Sequence, residues 1–147
     1  MVLIIVASIL FLDQVTKFLV VKNLSLHQSL PVIKGVLHLS LVYNRGVAFG
    51  LFKGLNTFFI LAAALAVILI YLNLKNLGWR KITLAAAALS LILAGAIGNL
   101  IDRVMFGYVI DFLDLRIWPV FNIADSAITI GAVLLACSIL KTRKASR

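Results

Sequence analysis

The sequence predicts an all-α membrane fold: a bundle of four transmembrane helices carrying a small β-sheet on its outer membrane-surface side. Three observations predict it. The apolar share is 63% and the mean hydropathy +1.14, against about 45–50% apolar content in ordinary soluble domains. Four apolar runs are each long enough to cross about 30 Å of hydrocarbon at about 1.5 Å per helical residue. Between the first two runs, apolar residues alternate with a period of two. No repeat, low-complexity segment or composition break divides residues 1–147, so one integral membrane domain is expected.

The first span covers Val2 to Val21. It lacks the basic start and A-x-A site of a cleavable signal and carries Asp13, Gln14 and Lys17, so it is expected to stay in the mature protein. In the region 23–52, Leu37, Leu39, Leu41 and Tyr43 alternate with His38, Ser40 and Val42 as in a half-buried strand. Asn44, Arg45 and Gly46 supply a turn, and Val47 to Phe52 are expected to return as a second strand. The sheet would turn its apolar face toward lipid or substrate; a structural plug between spans is the competing reading. The second and third spans cover Thr57 to Leu74 and Ile82 to Ile101. A loop is expected over 104–118, with Trp118 and Pro119 anchoring the start of the last span, Val120 to Leu140. The single cysteine, Cys137, lies in that span and reads as a small buried apolar residue. One cysteine allows neither a disulfide nor a thiolate metal site within the chain.

The formal charge of +9 does not point to nucleic acid, because the cations cluster at the ends of apolar runs. Lys75, Arg80 and Lys81 occupy one loop, and Lys141, Arg143, Lys144 and Arg147 the tail. Basic excess of this kind marks cytoplasmic segments. An even number of spans then puts both termini in the cytoplasm and the sheet and the 104–118 loop at the outer face.

All five acids are aspartates, Asp13, Asp102, Asp111, Asp114 and Asp125, and this topology gathers them on the outward side. An ionised carboxylate costs about 2.5–3.5 kcal/mol at the centre of an inserted helix, so acids held there usually line a polar site. Asp13, Thr16 and Lys17 share one helical stripe, as do Asn99, Asp102 and Arg103, and Asn122, Asp125 and Ser126. Lipid cannot satisfy such groups, so the three stripes are expected to meet, with Lys17 and Arg103 neutralising carboxylates. Ala94, Gly95 and Gly98 would allow close approach beside Asn99. Asp13 with Lys17, and Asp102 with Arg103, read as supporting pairs, and Asp114 with Arg116 as facing water. Asp111 and Asp125 remain without a cation at helical spacing. Two such carboxylates brought together share a proton, and one can take a proton from water while the other gives one to a carbonyl. Spacing alone leaves rivals standing: an ion or proton carrier, a magnesium-dependent phosphotransferase using Asp111 and Asp114, or a structural membrane protein. A serine intramembrane protease would need a G-x-S-x-G setting and a histidine within a span, whereas His27 and His38 lie in the outer region.

Five blocks in order along the chain resemble the lipoprotein signal peptidases, the signal peptidase II family of bacterial intramembrane aspartyl peptidases. They are Asp13-Gln-Val-Thr-Lys17, Asn44-Arg-Gly-Val-Ala-Phe49, Gly95-Ala-Ile-Gly-Asn-Leu-Ile-Asp-Arg103, Val109-Ile-Asp-Phe112 and Phe121-Asn-Ile-Ala-Asp-Ser126. The resemblance implies that Asp111 and Asp125 form the catalytic dyad, without metal or other cofactor. It places supporting roles on Asp13, Lys17, Asn44, Gly46, Asn99, Asp102, Arg103 and Asn122. The chain is expected to sit in the bacterial cytoplasmic (inner) membrane, and a monomer is expected. The implied substrate is a prolipoprotein carrying a diacylglyceryl cysteine, cut on the N-terminal side of that cysteine, with membrane lipid as the other partner and no nucleic acid. The region 23–52 would cradle this substrate. Arg45 departs from the family, where a small or polar residue is common.

The topology is checked by single-cysteine labelling with a membrane-impermeant reagent. A probe at Lys34 is expected to react from outside and a probe at Arg80 is not; the reverse pattern would overturn the orientation.

Overall fold

The computed structural model describes residues 2–46, 56–77 and 83–145. In chain order these form α1 (Val2–Asn23), β1 (Ser29–Ile33), β2 (Leu37–Asn44), α2 (Asn56–Leu77), α3 (Leu84–Phe106), β3 (Val109–Asp114) and α4 (Ile123–Ala145). All four helices are long and apolar enough to cross a membrane. Their exposed faces, with Leu3, Phe11 and Phe18 on α1, Phe58, Leu61 and Leu65 on α2 and Ile130, Val133 and Ile139 on α4, are apolar as a lipid-facing surface requires. The expected second strand at Val47 to Phe52 lies outside the described residues.

Helix α3 is the centre of the bundle and packs against α1, α2 and α4. Small residues let it do so. A Cβ at Gly95 would collide with the Ala124 carbonyl and lie 2.8 Å from Ile128 Cγ1, and one at Gly98 would lie 2.7 Å from Asp13 Oδ2. On α4, a Cβ at Gly131 would lie 2.7 Å from the Ala88 carbonyl oxygen. Lipid offers no hydrophobic drive for helix association, so close packing of this kind replaces it.

The helix ends differ from the sequence expectation for local reasons. The N-cap of α3 is Thr83, whose hydroxyl accepts the Ala86 N–H. The helix passes Ile101 and runs to Phe106, stopping where Gly107 takes a left-handed φ of 79° and donates its N–H to the Arg103 carbonyl. Helix α4 begins at Ile123 rather than Val120, because Phe121 is held in a β-bridge to Leu113.

The sheet has the order β1-β2-β3, antiparallel throughout, with Gly35 at φ 75° between β1 and β2. Its third strand corrects the expected loop over 104–118. Nearly every residue of β3 is buried, so it shows no alternation by which to recognise it. The apolar underside of the sheet does not face lipid alone: Leu41, Ile110 and Phe112 pack on Val20 of α1 and on Leu24 just after it. At the opposite end of the bundle Val2, Leu74, Ala86 and Leu93 form a second core. Cys137 corrects another expectation, since it is exposed on α4 rather than buried; a thiol is apolar enough for a lipid-facing surface.

Gly95→Val tests the close crossing of α3 and α4. Forcing carbon into that contact is expected to cost about 1–3 kcal/mol, read as a lowered midpoint in thermal unfolding of the detergent-solubilised protein. An unchanged midpoint would mean the helices are not in backbone contact.

Candidate active site

The polar stripes of α1, α3 and α4 meet beneath the sheet, and β3 delivers an acid into the same place. Asp111 comes from the middle of this strand, paired with Val42 of β2. Asp125 comes from the first turn of α4. Its position follows from a reciprocal cap: Asn122 Oδ1 accepts the Asp125 N–H at 2.8 Å, and Asp125 Oδ2 accepts the Asn122 N–H at 3.3 Å. This is the logic of the capping box, with an Asn and an Asp in its two roles. The pattern Asn-x-x-Asp before an apolar run was the available signal for it.

Both carboxylates line one cavity of about 220 Å³, together with Asn44, Gly46, Asn99 and Arg103. A neighbouring cavity of about 330 Å³ shares Asp125, Trp118 and Phe121 with it and continues along α4 past Thr129 and Ile130. The remaining candidates, Asp13, Lys17, Asp102 and Asn122, are buried behind the cavity wall.

Amide side chains fix the two acids. Asn122 Nδ2 donates to Asp111 Oδ1 at 2.7 Å, to Asn99 Oδ1 at 3.1 Å and to the Ile110 carbonyl at 3.2 Å. Asn99 Nδ2 donates to Asp125 Oδ1 at 2.7 Å. Asn44 Nδ2 donates to Asp111 Oδ2 at 2.9 Å, while its Oδ1 accepts the Gly46 N–H at 3.0 Å. That turn sets which end of the Asn44 amide faces the acid. Burial, and then the charge of Asp125, raise the Asp111 carboxyl from 3.8 to about 7. A carboxyl that keeps its proton near neutrality can act as a general acid.

Two expected roles change. Arg103 forms no ion pair with a carboxylate among the described residues; it donates to the Asn99 carbonyl at 3.3 Å, and its guanidinium lies 5.7 Å from the centre of the Phe59 ring. Neutralisation falls to Lys17, which sits 2.8 Å from both Asp13 and Asp102. Asp114 is buried rather than facing water. Although burial works the other way, hydrogen bonds from Ser40 and Arg116 hold its carboxyl below the usual range. Asp111 and Asp114 therefore belong to separate networks, which removes the shared carboxylate site that the phosphotransferase reading needs. Gln14 was named for its polarity alone, yet its Nε2 reaches Asp13 at 3.1 Å and Asp102 at 3.2 Å. Thr16 turns back onto the Leu12 carbonyl of its own helix.

A family model described as signal peptidase (SPase) II matches residues 5–141. The chain is similar to a protein named lipoprotein signal peptidase from Halothermothrix orenii, 46% identical over 146 residues and covering 98% of each chain. A protein of the same name from Caldanaerobacter subterraneus is 47% identical over 137 residues, 92% of each. A solved structure described as a bacterial membrane enzyme superposes with a TM-score of 0.91 at 34% identity, covering 99% of this chain and 91% of the other.

The Asp111 environment is tested by carbon NMR of labelled aspartate in the folded protein. Asp111 is expected to be protonated below, and ionised above, a midpoint of about 7. Asp125→Asn removes one of the two causes and is expected to lower that midpoint. A wild-type midpoint near 3.8 would overturn the description.

Proposed function

The chain belongs to the signal peptidase II family, an aspartic peptidase family, and we propose that it is an intramembrane aspartyl endopeptidase that removes the signal peptide from bacterial prolipoproteins. The cut falls on the N-terminal side of a cysteine already carrying a diacylglyceryl group. One observation carries this reading: a buried aspartate on β3 and a half-buried one on α4 line a single cavity and share Asn122 between them.

In the proposed reaction Asp125 is the ionised member. It accepts N–H groups from Asn99 and Asn122, and it lies in the first turn of α4, where the helix dipole favours negative charge. A water between the acids gives a proton to Asp125, and its oxygen attacks the scissile carbonyl carbon as Asp111 protonates the carbonyl oxygen. The tetrahedral diol then collapses: the C–N bond breaks, the cysteine nitrogen takes the proton held by Asp125, and a hydroxyl proton returns to Asp111. The products are a signal peptide ending in a carboxyl group and a lipoprotein with a free amino terminus. Arg103 on the cavity wall supplies positive charge near the developing oxyanion, and a site shielded from bulk water strengthens each contact. The neighbouring apolar cavity gives the substrate's apolar segment room beside Asp125.

The single membrane domain works as a monomer in the cytoplasmic (inner) membrane, with both termini cytoplasmic and the dyad near the outer face. The cation distribution supports this orientation, since Lys75 follows Leu74 at the end of the bundle opposite the sheet. Cutting at the outer face leaves the lipid-bearing product anchored while the signal helix departs into the bilayer.

Asp111→Asn and Asp125→Asn are each expected to lower turnover of a diacylglyceryl-modified prolipoprotein by about 10²–10⁴-fold or more, measured by mass spectrometry of the cleavage products. Wild-type turnover is expected to fall as pH rises through about 7, where Asp111 loses the proton it must donate. Near-normal turnover by either folded variant would end the dyad reading.

A further inference from the structure

Two peptide N–H groups, one just before each dyad acid, lead back to the same buried cation. Ala124, which precedes Asp125, donates its N–H to Asp13 Oδ1 at 2.9 Å. Ile110, which precedes Asp111, donates its N–H to Asp102 Oδ2 at 3.1 Å. Lys17 Nζ bridges the two receiving carboxylates, 2.8 Å from each. Its remaining contact goes to Asn99 Oδ1 at 3.2 Å. An ammonium group has three donors and no acceptor, so all three are committed, and the Asn99 oxygen must face Lys17. The Asn99 Nδ2 is thereby left for Asp125. Gln14 Nε2 crosses the same gap, donating to both Asp13 and Asp102.

Lys17 is 2% exposed, Asp102 1% and Asp13 0%, and none of the three lines the cavity that holds the dyad. Lys17 and Asp102 line a different cavity, with Gln14, Phe18 and Ile110, so their effect on the dyad passes through the residues between. We propose that Lys17 is a positioning residue that sets the spacing of Asp111 and Asp125, with Asp13 and Asp102 as two arms that each hold the backbone one residue before a dyad acid. The proposal rests on the dyad reading above. A cluster that only neutralises buried charge would support stability without controlling the distance between the two acids. The clamp controls that distance, and a displacement of about 1 Å in a reacting group can lower a rate by about 100-fold.

The test uses the purified full-length protein with aspartate labelled at Cγ. Solid-state NMR reads the dipolar coupling between Asp111 and Asp125 without substrate, and only five aspartates need assignment. Lys17→Met is expected to weaken that coupling and to lower kcat for a diacylglyceryl-modified prolipoprotein by about 100-fold, with KM within about twofold. Asp13→Asn and Asp102→Asn each keep an oxygen for the backbone N–H but lose the pull of Lys17. Each is expected to lower kcat, and because one released arm already frees the spacing, the double variant is expected to fall no further than the worse single. An unchanged coupling in folded Lys17→Met, a loss confined to KM, or single losses that multiply in the double variant would each overturn the clamp. If Lys17→Met does not fold, the two Asn variants and their combination decide. A wild-type protein that leaves the precursor uncut, alongside a weakened coupling in Lys17→Met, would sink the peptidase reading and leave the clamp standing.

Discussion

Charge cannot be left unpaired where water is scarce, and that constraint organises this molecule. Asp13, Lys17 and Asp102 are all buried, on helices that must be apolar to insert. Several kcal/mol of desolvation per ion is offset only if each ion finds its partners with good geometry. Those partners lie on different helices, so satisfying the charges fixes how α1, α3 and α4 pack. The polar cluster and the bundle are one structural problem, and Gly95 and Gly98 are part of its solution because they let the backbones come close enough.

The cavity draws its acids from two kinds of element. Asp125 rides on a helix whose first turn it helps to cap, and Asp111 rides on a strand pinned between β2 and the Phe121 bridge. Both are attached to rigid backbone, and the amides of Asn44, Asn99 and Asn122 set their orientation. This arrangement holds both carboxylates through side-chain amides. It also explains why so many asparagines gather here: an amide offers a donor to a carboxylate at one end and an acceptor to a neighbour at the other.

The spans and the polar stripes were legible in the sequence because both obey simple rules, hydrocarbon thickness for the spans and helical spacing for Asp13 and Lys17, Asn99 and Asp102, Asn122 and Asp125. The alternation of Leu37 to Tyr43 likewise marked β2. Strand β3 was not legible, since a strand covered on both faces has no period to read. Asp114 was misplaced for the same reason: its partner Ser40 lies far away in the chain and is reached only through the β2–β3 pairing. The partner of Lys17 at Asp13 followed from spacing, whereas its bridge to Asp102 depends on how α1 crosses α3. Arg103 shows the converse, as Asp102, its neighbour in sequence, forms an ion pair with Lys17 and none with Arg103 among the described residues.

Gly98 carries a consequence for how this chain can change over generations. The room a methyl group would need there is taken by the Asp13 carboxylate. No acid among the twenty residues is shorter than aspartate, so a side chain at 98 requires Asp13, which also holds the Ala124 N–H, to shift or to give way to a non-acid. The two positions constrain one another, so a change at 98 alters what position 13 can hold.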